Sequence, residues 1–533
     1  MSLRHSSSWK ALCAAALTAL TFVAPQAKAT GFHEIGQDYT PREKTEVGLS
    51  GYFRTRGEAL HNLDLDRGLT PSGFPLFPIS QAEPRAQTLT HWDMRLRSDV
   101  SLYAPGSMVG VKARFDILDN VSLGSLPEGI PSATMTQRNP ADVIRVRRAW
   151  GELVLPFGLL AAGRMGTHWG MGMVANGGDC LDCDSGDASD RIAFLTPLAG
   201  HIWALAYDFS ATGPTAPRAG QNREIDLERT TNVRTATFAW QRWRSPEVRD
   251  RRRKANKTTV EYGSYITHRW QTNDIPGTYL PTAQPLDPFA NGGAGIMARG
   301  FRASGLDGWL RLTFPWARVE AEVAFLTATV DQPSLVPGVL LRDPAKSRQL
   351  GAALQSDIGD PDAAFGAGLD AGYASGDPAP GFGVVQRPNA APPQPGDLDG
   401  PQALPRRDNR VDNFRFHPDY RIDRILFREI LGAVTDAAYA RPHARLRLAR
   451  AKSAQLTAHA AVIASTAVKA TSTPSGKAPL GVEVDPSLVF ETNAFLAALD
   501  YAILFPLDGF DNPIGNLNAK PAQLVRLRLA YLF

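Results

Sequence analysis

From Pro521 to Phe533 the chain alternates with a period of two residues. Val525, Leu527, Leu529, Tyr531 and Phe533 fall on one side, and Leu524, Arg526, Arg528, Ala530 and Leu532 on the other. One face is wholly apolar and the opposite face carries two arginines. Such a strand fits a sheet with hydrocarbon on its outer side and water on its inner side, its terminal aromatics at headgroup level.

The pattern recurs along the chain. A first strand over 46–60 sets Val47, Leu49, Gly51 and Phe53 against Ser50, Tyr52, Arg54, Arg56 and Glu58. A second, over 89–103, alternates Trp92, Met94, Leu96, Val100 and Leu102 with His91, Asp93, Arg95, Arg97 and Asp99. After the turn 104–107, a third sets Val109, Val111, Ala113, Phe115 and Ile117 against Lys112, Arg114 and Asp116, which completes a hairpin. Further turns are expected at 156–158, 197–200, 244–256, 315–316, 359–362, 450–453 and 491–493. Eight turns, with unpaired first and last strands, predict an all-β, antiparallel transmembrane barrel of about 18 strands over 46–533, an even number as in bacterial outer-membrane barrels. Both termini and all short turns then lie on the periplasmic side and the long loops outside. The stretch 191–196 is short for a strand, and alternation slips between Arg147 and Arg148, where a β-bulge would absorb the extra residue. The alanine-rich stretch 454–467 alternates like a strand, with a helix as the alternative. Pattern alone also leaves open a soluble sandwich or solenoid.

The N-terminus bears on that choice. Arg4 and Lys10 precede an apolar run over 11–24, and Ala27-Lys28-Ala29 reads as a small-x-small cleavage site, so residues 1–29 are expected to be a secretory leader and 30–45 a periplasmic segment. The run is shorter than the ~20 residues a membrane helix needs. Beyond it, hydrophobic residues make up 43% of the chain and mean hydropathy is −0.20, with no run long enough for a membrane helix. Without the leader, 54 basic residues face 53 acidic ones. That balance opposes nucleic-acid binding, which calls for basic excess. The expected location is the outer membrane of a Gram-negative bacterium, in contact with its lipid.

The terminal strand ending in phenylalanine resembles the closing strand of bacterial outer-membrane β-barrels, which implies that Phe533 is read by the barrel-assembly machinery. Arg148-Ala149-Trp150-Gly151-Glu152-Leu153, through Pro156-Phe157-Gly158 to Gly163-Arg164, resembles a hairpin of general porins. The stretch 480–485, continued by 499–506, is similar to the penultimate hairpin of alginate-export-type barrels. That resemblance implies 18 strands, an arginine-rich lumen and export of a polyanionic polysaccharide. Pro486 departs from the pattern and suggests a bulge or bend.

The inward faces assigned by alternation hold Arg54, Arg56, Arg95, Arg97, Arg114, Arg164, Arg311, Arg318, Arg445, Arg447, Arg526 and Arg528. Guanidinium forks grip carboxylate and phosphate, so these are the candidate pore-lining residues of a channel for anionic solutes or a polyanionic polymer. The alternative is an internal ion-pair lattice, because Glu58, Asp93, Asp99, Asp116, Glu152, Glu320, Glu322 and Asp500 share the same faces. Both hold if one stripe is left unpaired. Cys180 and Cys183 are expected to form a disulfide in an external loop whose acids, Asp179, Asp182, Asp184, Asp187 and Asp190, are either solvated or gathered around Ca²⁺. The loop 376–421, ending in an aromatic and basic segment, would constrict the barrel, pack on a neighbour or stay disordered at the surface. The basic run 249–254 reads as a solvated turn, with contact to an acidic partner as the alternative. No cofactor or metal is expected. The sequence holds neither a His-Glu-x-x-His nor a Gly-x-Ser-x-Gly motif, so an outer-membrane barrel enzyme and a surface adhesin or scaffold are the alternative functions.

Overall fold

The computed structural model describes residues 35, 43–80, 82–124, 144–275, 296–334, 343–382, 394–398 and 408–533. The expected leader lies outside the described residues. Strands β1 (Glu46–His61), β2 (Thr88–Tyr103), β3 (Val109–Ser122), β4 (Ile144–Leu155), β5 (Gly158–Gly166), β6 (Ala188–Leu198) and β7 (His201–Ala211) form the first part of the wall. A small ribbon, β8 (Thr215–Pro217) with β9 (Glu224–Asp226), stands apart from it. The wall continues with β10 (Val233–Arg242), β11 (Thr259–Gln271), β12 (Phe301–Thr313), β13 (Ala317–Val330), β14 (Ala345–Ile358) and β15 (Phe365–Ala374). It ends with β16 (Ala437–Arg450), β17 (Ala454–Ala467), β18 (Pro479–Thr492), β19 (Phe495–Pro506) and β20 (Ala522–Leu532).

Eighteen of these strands make one antiparallel sheet, each pairing with its neighbours in the chain, and β1 pairs with β20 to close it. The barrel therefore has no free edge. Closure runs from Tyr52↔Leu532 to His61↔Gln523 and is extended by two backbone bonds between Gly51 and Phe533, at 2.9 and 3.1 Å. A side chain at position 51 would meet the Phe533 ring, which explains glycine there.

The alternation resolves into an apolar outer face and a charged inner one. Val47 is 63% exposed and Leu205 58%, whereas Arg54 is 1% and Arg95 0%. In a soluble protein the exposed set would face water at a cost of about 25 cal/mol per Å²; around a barrel it forms the lipid-facing belt. Seven short turns and the helix-bearing connection 243–258 lie at one rim, and the other connections at the opposite rim. Opposite Arg114 stands Arg148, and opposite Phe115 stands Val146, so Arg147 is the extra residue of a bulge where the alternation slips. The stretch Ala454–Ala467 is strand throughout.

Two local expectations need correction. Pro486 introduces no bulge: the β18–β19 register is the same on both sides of it, and the ladder omits only the pairs at 485 and 486, since proline has no N–H to donate. The basic run at 249–254 is not a loose turn but most of a helix, α1 (Pro246–Lys254). Ser245 caps it by accepting from the Val248 N–H, and Pro246 occupies its first turn.

Candidate functional site: the charged lumen

The inner wall binds most of its own charge. Arg97 bonds Asp116 (2.7 Å), Arg114 bonds Asp99 (2.6 Å) and Arg95 bonds Asp119 (2.6 Å). Arg54 and Arg56 share Asp93, at 3.2 and 2.8 Å. Arg526 lies between Glu58 and Glu429, and Arg528 reaches Asp500 at 2.9 Å. Farther round, Arg311 bonds Glu320 (2.6 Å) and Arg318 bonds Asp357 (2.8 Å). Arg191, paired with Asp208 at 2.6 Å, joins the lattice although its short strand gave little signal.

The loop 167–187 completes this lattice and corrects its expected external position: it folds into the lumen. Asp184 accepts from Arg56 (3.0 and 3.2 Å), Arg54 (3.3 Å) and Arg421 (2.7 Å). Asp182 bonds Arg56 at 3.1 Å and also meets Arg428. Asp179 reaches Arg114, and Arg148 at 3.3 Å. Carbonyls serve too: Arg97 donates to Gly178 O and Arg95 to Cys183 O, each at 2.6 Å. Guanidinium groups thus occupy Asp179, Asp182, Asp184 and Asp190, four of the five carboxylates weighed as Ca²⁺ ligands, while Asp187 accepts from the Asn176 N–H and faces His417 at 3.5 Å. Burial alone would raise both Asp182 and Asp184. Arg428, Arg528 and Arg526 around the first, and Arg56 and Arg421 around the second, outweigh it and hold both carboxyls below the usual range. The Cys180–Cys183 disulfide closes the tip that presents these acids.

A second segment, 408–436, fills the half of the lumen lined by β13–β20. Phe414, Phe416, Tyr420, Ile422, Ile425, Leu426 and Phe427 are buried there against inward residues such as Ala353, Ala461, Leu504 and Leu524. Of the three expected fates of the long loop, its described end follows the inward one. Wall residue Glu483 accepts from the N–H groups of Arg424 (2.9 Å), Ile425 (2.9 Å) and Leu426 (3.0 Å), the donors left free at the start of the π-helical turn Leu426–Ile430. Asp423 takes the next two, from Phe427 and Arg428. The two infolded segments touch: His417 N donates to Met173 O at 2.7 Å, and Asp184 N to Asp419 at 3.0 Å.

Toward the short-turn rim the wall changes character. The inward face of β16 carries Tyr439, Arg441, His443, Arg445 and Arg447 in succession. Its neighbour β15 places Gly372, Asp370, Gly368 and Gly366 opposite the first four. A methyl group at 366 would lie 2.8 Å from the Arg445 guanidinium, and one at 368 would lie 2.5 Å from the His443 ring. The glycines let the basic side chains lie across bare backbone. Asp370 pairs with Arg441 at 2.6 Å. Arg445 and Arg447 donate to carbonyls of the 360–363 turn, and among the described residues neither has a carboxylate within ion-pair distance.

Arg164 is a correction. It alternates with buried Met165 and faces outward, where it pairs with Asp190 at 2.7 Å, both more than 45% exposed. The other eleven candidate arginines lie on the inner face; Arg421, at the end of the loop for which an inward turn was one expectation, reaches the lumen, and the sequence reading missed Arg424 and Arg428 just beyond it.

A closed barrel with an apolar belt and a charged interior is the architecture of a transmembrane β-barrel of porin size. No family model and no curated protein matches the chain. Among solved structures it is similar to OpdK of Pseudomonas aeruginosa, crystallised with vanillate, at 10% identity and TM-score 0.42 over 91% of this chain and 98% of that one. It is also similar to OccAB2 of Acinetobacter baumannii, at 9% identity and TM-score 0.43 over 91% and 98%. An anion-selective porin from Comamonas acidovorans aligns at 9% identity and TM-score 0.38 over 92% and 100%.

Proposed function

We propose that the chain is an outer-membrane channel for small anions. The observation that carries this reading is the β16 stripe, where Arg445 and Arg447 bond neutral carbonyls and, among the described residues, have no carboxylate within ion-pair distance, while most other candidate arginines of the wall are paired. A field of one sign in a narrow aqueous passage concentrates the opposite ion. The two readings of the arginine wall then apply to different parts of it: a lattice over most of the wall, including the Arg311–Glu320 and Arg318–Asp357 pairs beside the short turns, and a stripe on β16 without carboxylate partners among the described residues. The infolded segments favour small solutes. The polyanionic polymer implied by the alginate-export resemblance requires both segments to leave the lumen.

The test is a reversal potential in planar bilayers across a salt gradient. Anion preference at 0.1 M that fades at 1 M is expected, because the Debye length shrinks from about 10 to about 3 Å. Cation preference at low salt overturns the reading. Export through residues 1–29 and assembly through Phe533 belong to the same proposal; deletion of Phe533 is expected to lower the heat-modifiable folded fraction, and unchanged folding argues against that role.

A further inference from the structure

On one side of the barrel the outer face changes composition near the long-loop rim. Strand register places Leu205, Phe238, Ile266, Leu306, Phe325 and Leu350 in one row across β7 and β10–β14, and all six are exposed. Four residues further along each strand, on the same face, a second row reads Phe209, Arg234, Trp270, Arg302, Thr329 and Lys346. The row between them holds His268 and Arg348. Four strand residues cover about 13 Å, or roughly 10 Å along the membrane normal at a strand tilt of about 40°, so these strands pass from acyl chains to headgroups between the two rows. No outward position on the six strands is acidic.

The basic groups of this face are open to a partner. Arg234 donates to Ala211 O at 2.6 Å and lies over the Phe209 ring at 5.2 Å. Among the described residues, neither it nor Lys346 nor Arg348 has a carboxylate within ion-pair distance. Asp412, beside β14, accepts from the Arg348 N–H and is paired with Arg410. Arg302 meets Asp331 at 3.3 Å, but both are more than half exposed, and such a pair holds weakly. Outward Arg164, by contrast, has Asp190 at 2.7 Å. Trp270, stacked on His268, stands between two clefts. One, of about 560 Å³, is lined by Tyr207, Arg229 and Arg234, with Asp226 already engaged by Asn232 and the Glu228 N–H. The other, of about 440 Å³, lies between His268 and Arg302.

We propose that this face is a docking site for a lipid of the outer leaflet whose headgroup carries more than one phosphate. Its acyl chains lie on the apolar row, its phosphates meet Arg234, Arg302, Lys346 and Arg348, and the two clefts beside Trp270 receive the headgroup. Arg234, Arg302 and Lys346 recur on alternate strands, with backbones about 10 Å apart, so a headgroup with two phosphates reaches two of them at once. The occupant is a lipid rather than free phosphate because the basic row continues directly from the lipid-facing belt. The site is independent of the solute that the lumen passes.

The test uses the whole folded chain in detergent, with diphosphorylated lipid A as probe and the same lipid stripped of its phosphates as control. Native mass spectrometry is expected to show lipid A held at least about tenfold more tightly than the control, since each basic group near an anionic surface contributes about fivefold. The triple variant Arg234→Gln/Arg302→Gln/Lys346→Gln should lose that preference while keeping its heat-modifiable mobility. The double variant Lys346→Gln/Arg348→Gln, confined to one strand end, should lose at least about fivefold of it. Arg242→Gln, on the same face of β10 at the opposite rim, should keep it. Equal retention of both lipids, an unchanged preference in both folded variants, or the same loss in Arg242→Gln overturns the site. Displacement of lipid A by millimolar inorganic phosphate makes free phosphate the ligand and overturns the lipid assignment; retention under that challenge supports it.

Discussion

Converting Asp182 and Asp184 to asparagine removes two negative charges from the centre of the lumen with little change of shape. Asp184 alone accepts from Arg54, Arg56, Arg421 and Asn120. An asparagine keeps one acceptor oxygen and turns an amide toward guanidinium groups, which can only donate. A unit charge acts on an ion 10 Å away in water with about 0.4 kcal/mol, so the two removed charges amount to roughly 0.8 kcal/mol, a fourfold rise in local anion concentration. Screening over one Debye length at 0.1 M reduces this to about 1.7-fold. Cations fall by the same factor, so the anion-to-cation permeability ratio is expected to rise about threefold at 0.1 M KCl and to return to the unmodified value at 1 M. Breaking a buried ion pair costs about 3 to 5 kcal/mol, and the 26% exposure of the Asp184 side chain places it at or below the lower end. Release of the loop 167–187 would add a rise in conductance to the change in selectivity. An unchanged ratio and an unchanged conductance at 0.1 M would refute the idea that this loop neutralises the wall. Mild acid does not mimic the substitution: with lowered folded-state values, both carboxyls keep their stabilising contribution above about pH 4 and lose it only as pH falls through those values.

The two faces of β2 give a paired test. Leu96→Arg places a guanidinium in hydrocarbon and should cost about 2 to 4 kcal/mol near the midplane in a folding titration, whereas Arg97→Leu should alter conductance more than folding; the opposite pattern would shift the register by one residue. On the outer face, Asp190→Leu strips Arg164 of its partner and should destabilise the barrel in lipid, and adding Arg164→Leu should restore stability; no recovery in the double variant would count against an outward pair. At the long-loop rim, burial pushes Asp436 up to about 7 despite bonds from Ser472 and the Lys469 N–H. Its neutral form is the one the fold favours, so its contribution is full below about pH 4 and lost as pH rises through 7. Amide exchange at Lys469 should quicken across that window, and Asp436→Asn should flatten the profile; an identical profile in the variant would remove Asp436 as the cause.

The wall was legible because each strand obeys a two-residue rule that needs no partner to be seen. The bulge at Arg147 announced itself as a broken alternation. Arg164 was misplaced because its charge was taken to mean water, and the feature that lets it face outward, Asp190 on the adjacent strand, becomes a neighbour only once β5 and β6 pair. The acids at 179–184 looked like a solvated loop because the arginines they neutralise lie on β1 to β4 or beyond residue 420. One signal for the inner filling was present: Phe414, Phe416, Tyr420, Ile422, Ile425, Leu426 and Phe427 are more apolar than a water-facing loop allows. The Ser245-Pro246-Glu247 start of α1 was likewise readable as a helix beginning.

The two infolded segments also impose an order in time. Asp184 and Asp419 are 235 residues apart, and Asp182 and Arg428 are 246 apart, yet each pair meets in the lumen. The first segment is made after five strands and the second after fifteen, while Glu483, which seats the second, belongs to β18. The first segment finds its partners on β1–β4 already made, but its contacts with Asp419, Arg421 and Arg428, and the seating of the second segment on Glu483, wait for later parts of the chain. Contacts of such separation are slow to form. The interior is therefore completed in two stages, and its second half closes only with the last strands of the wall.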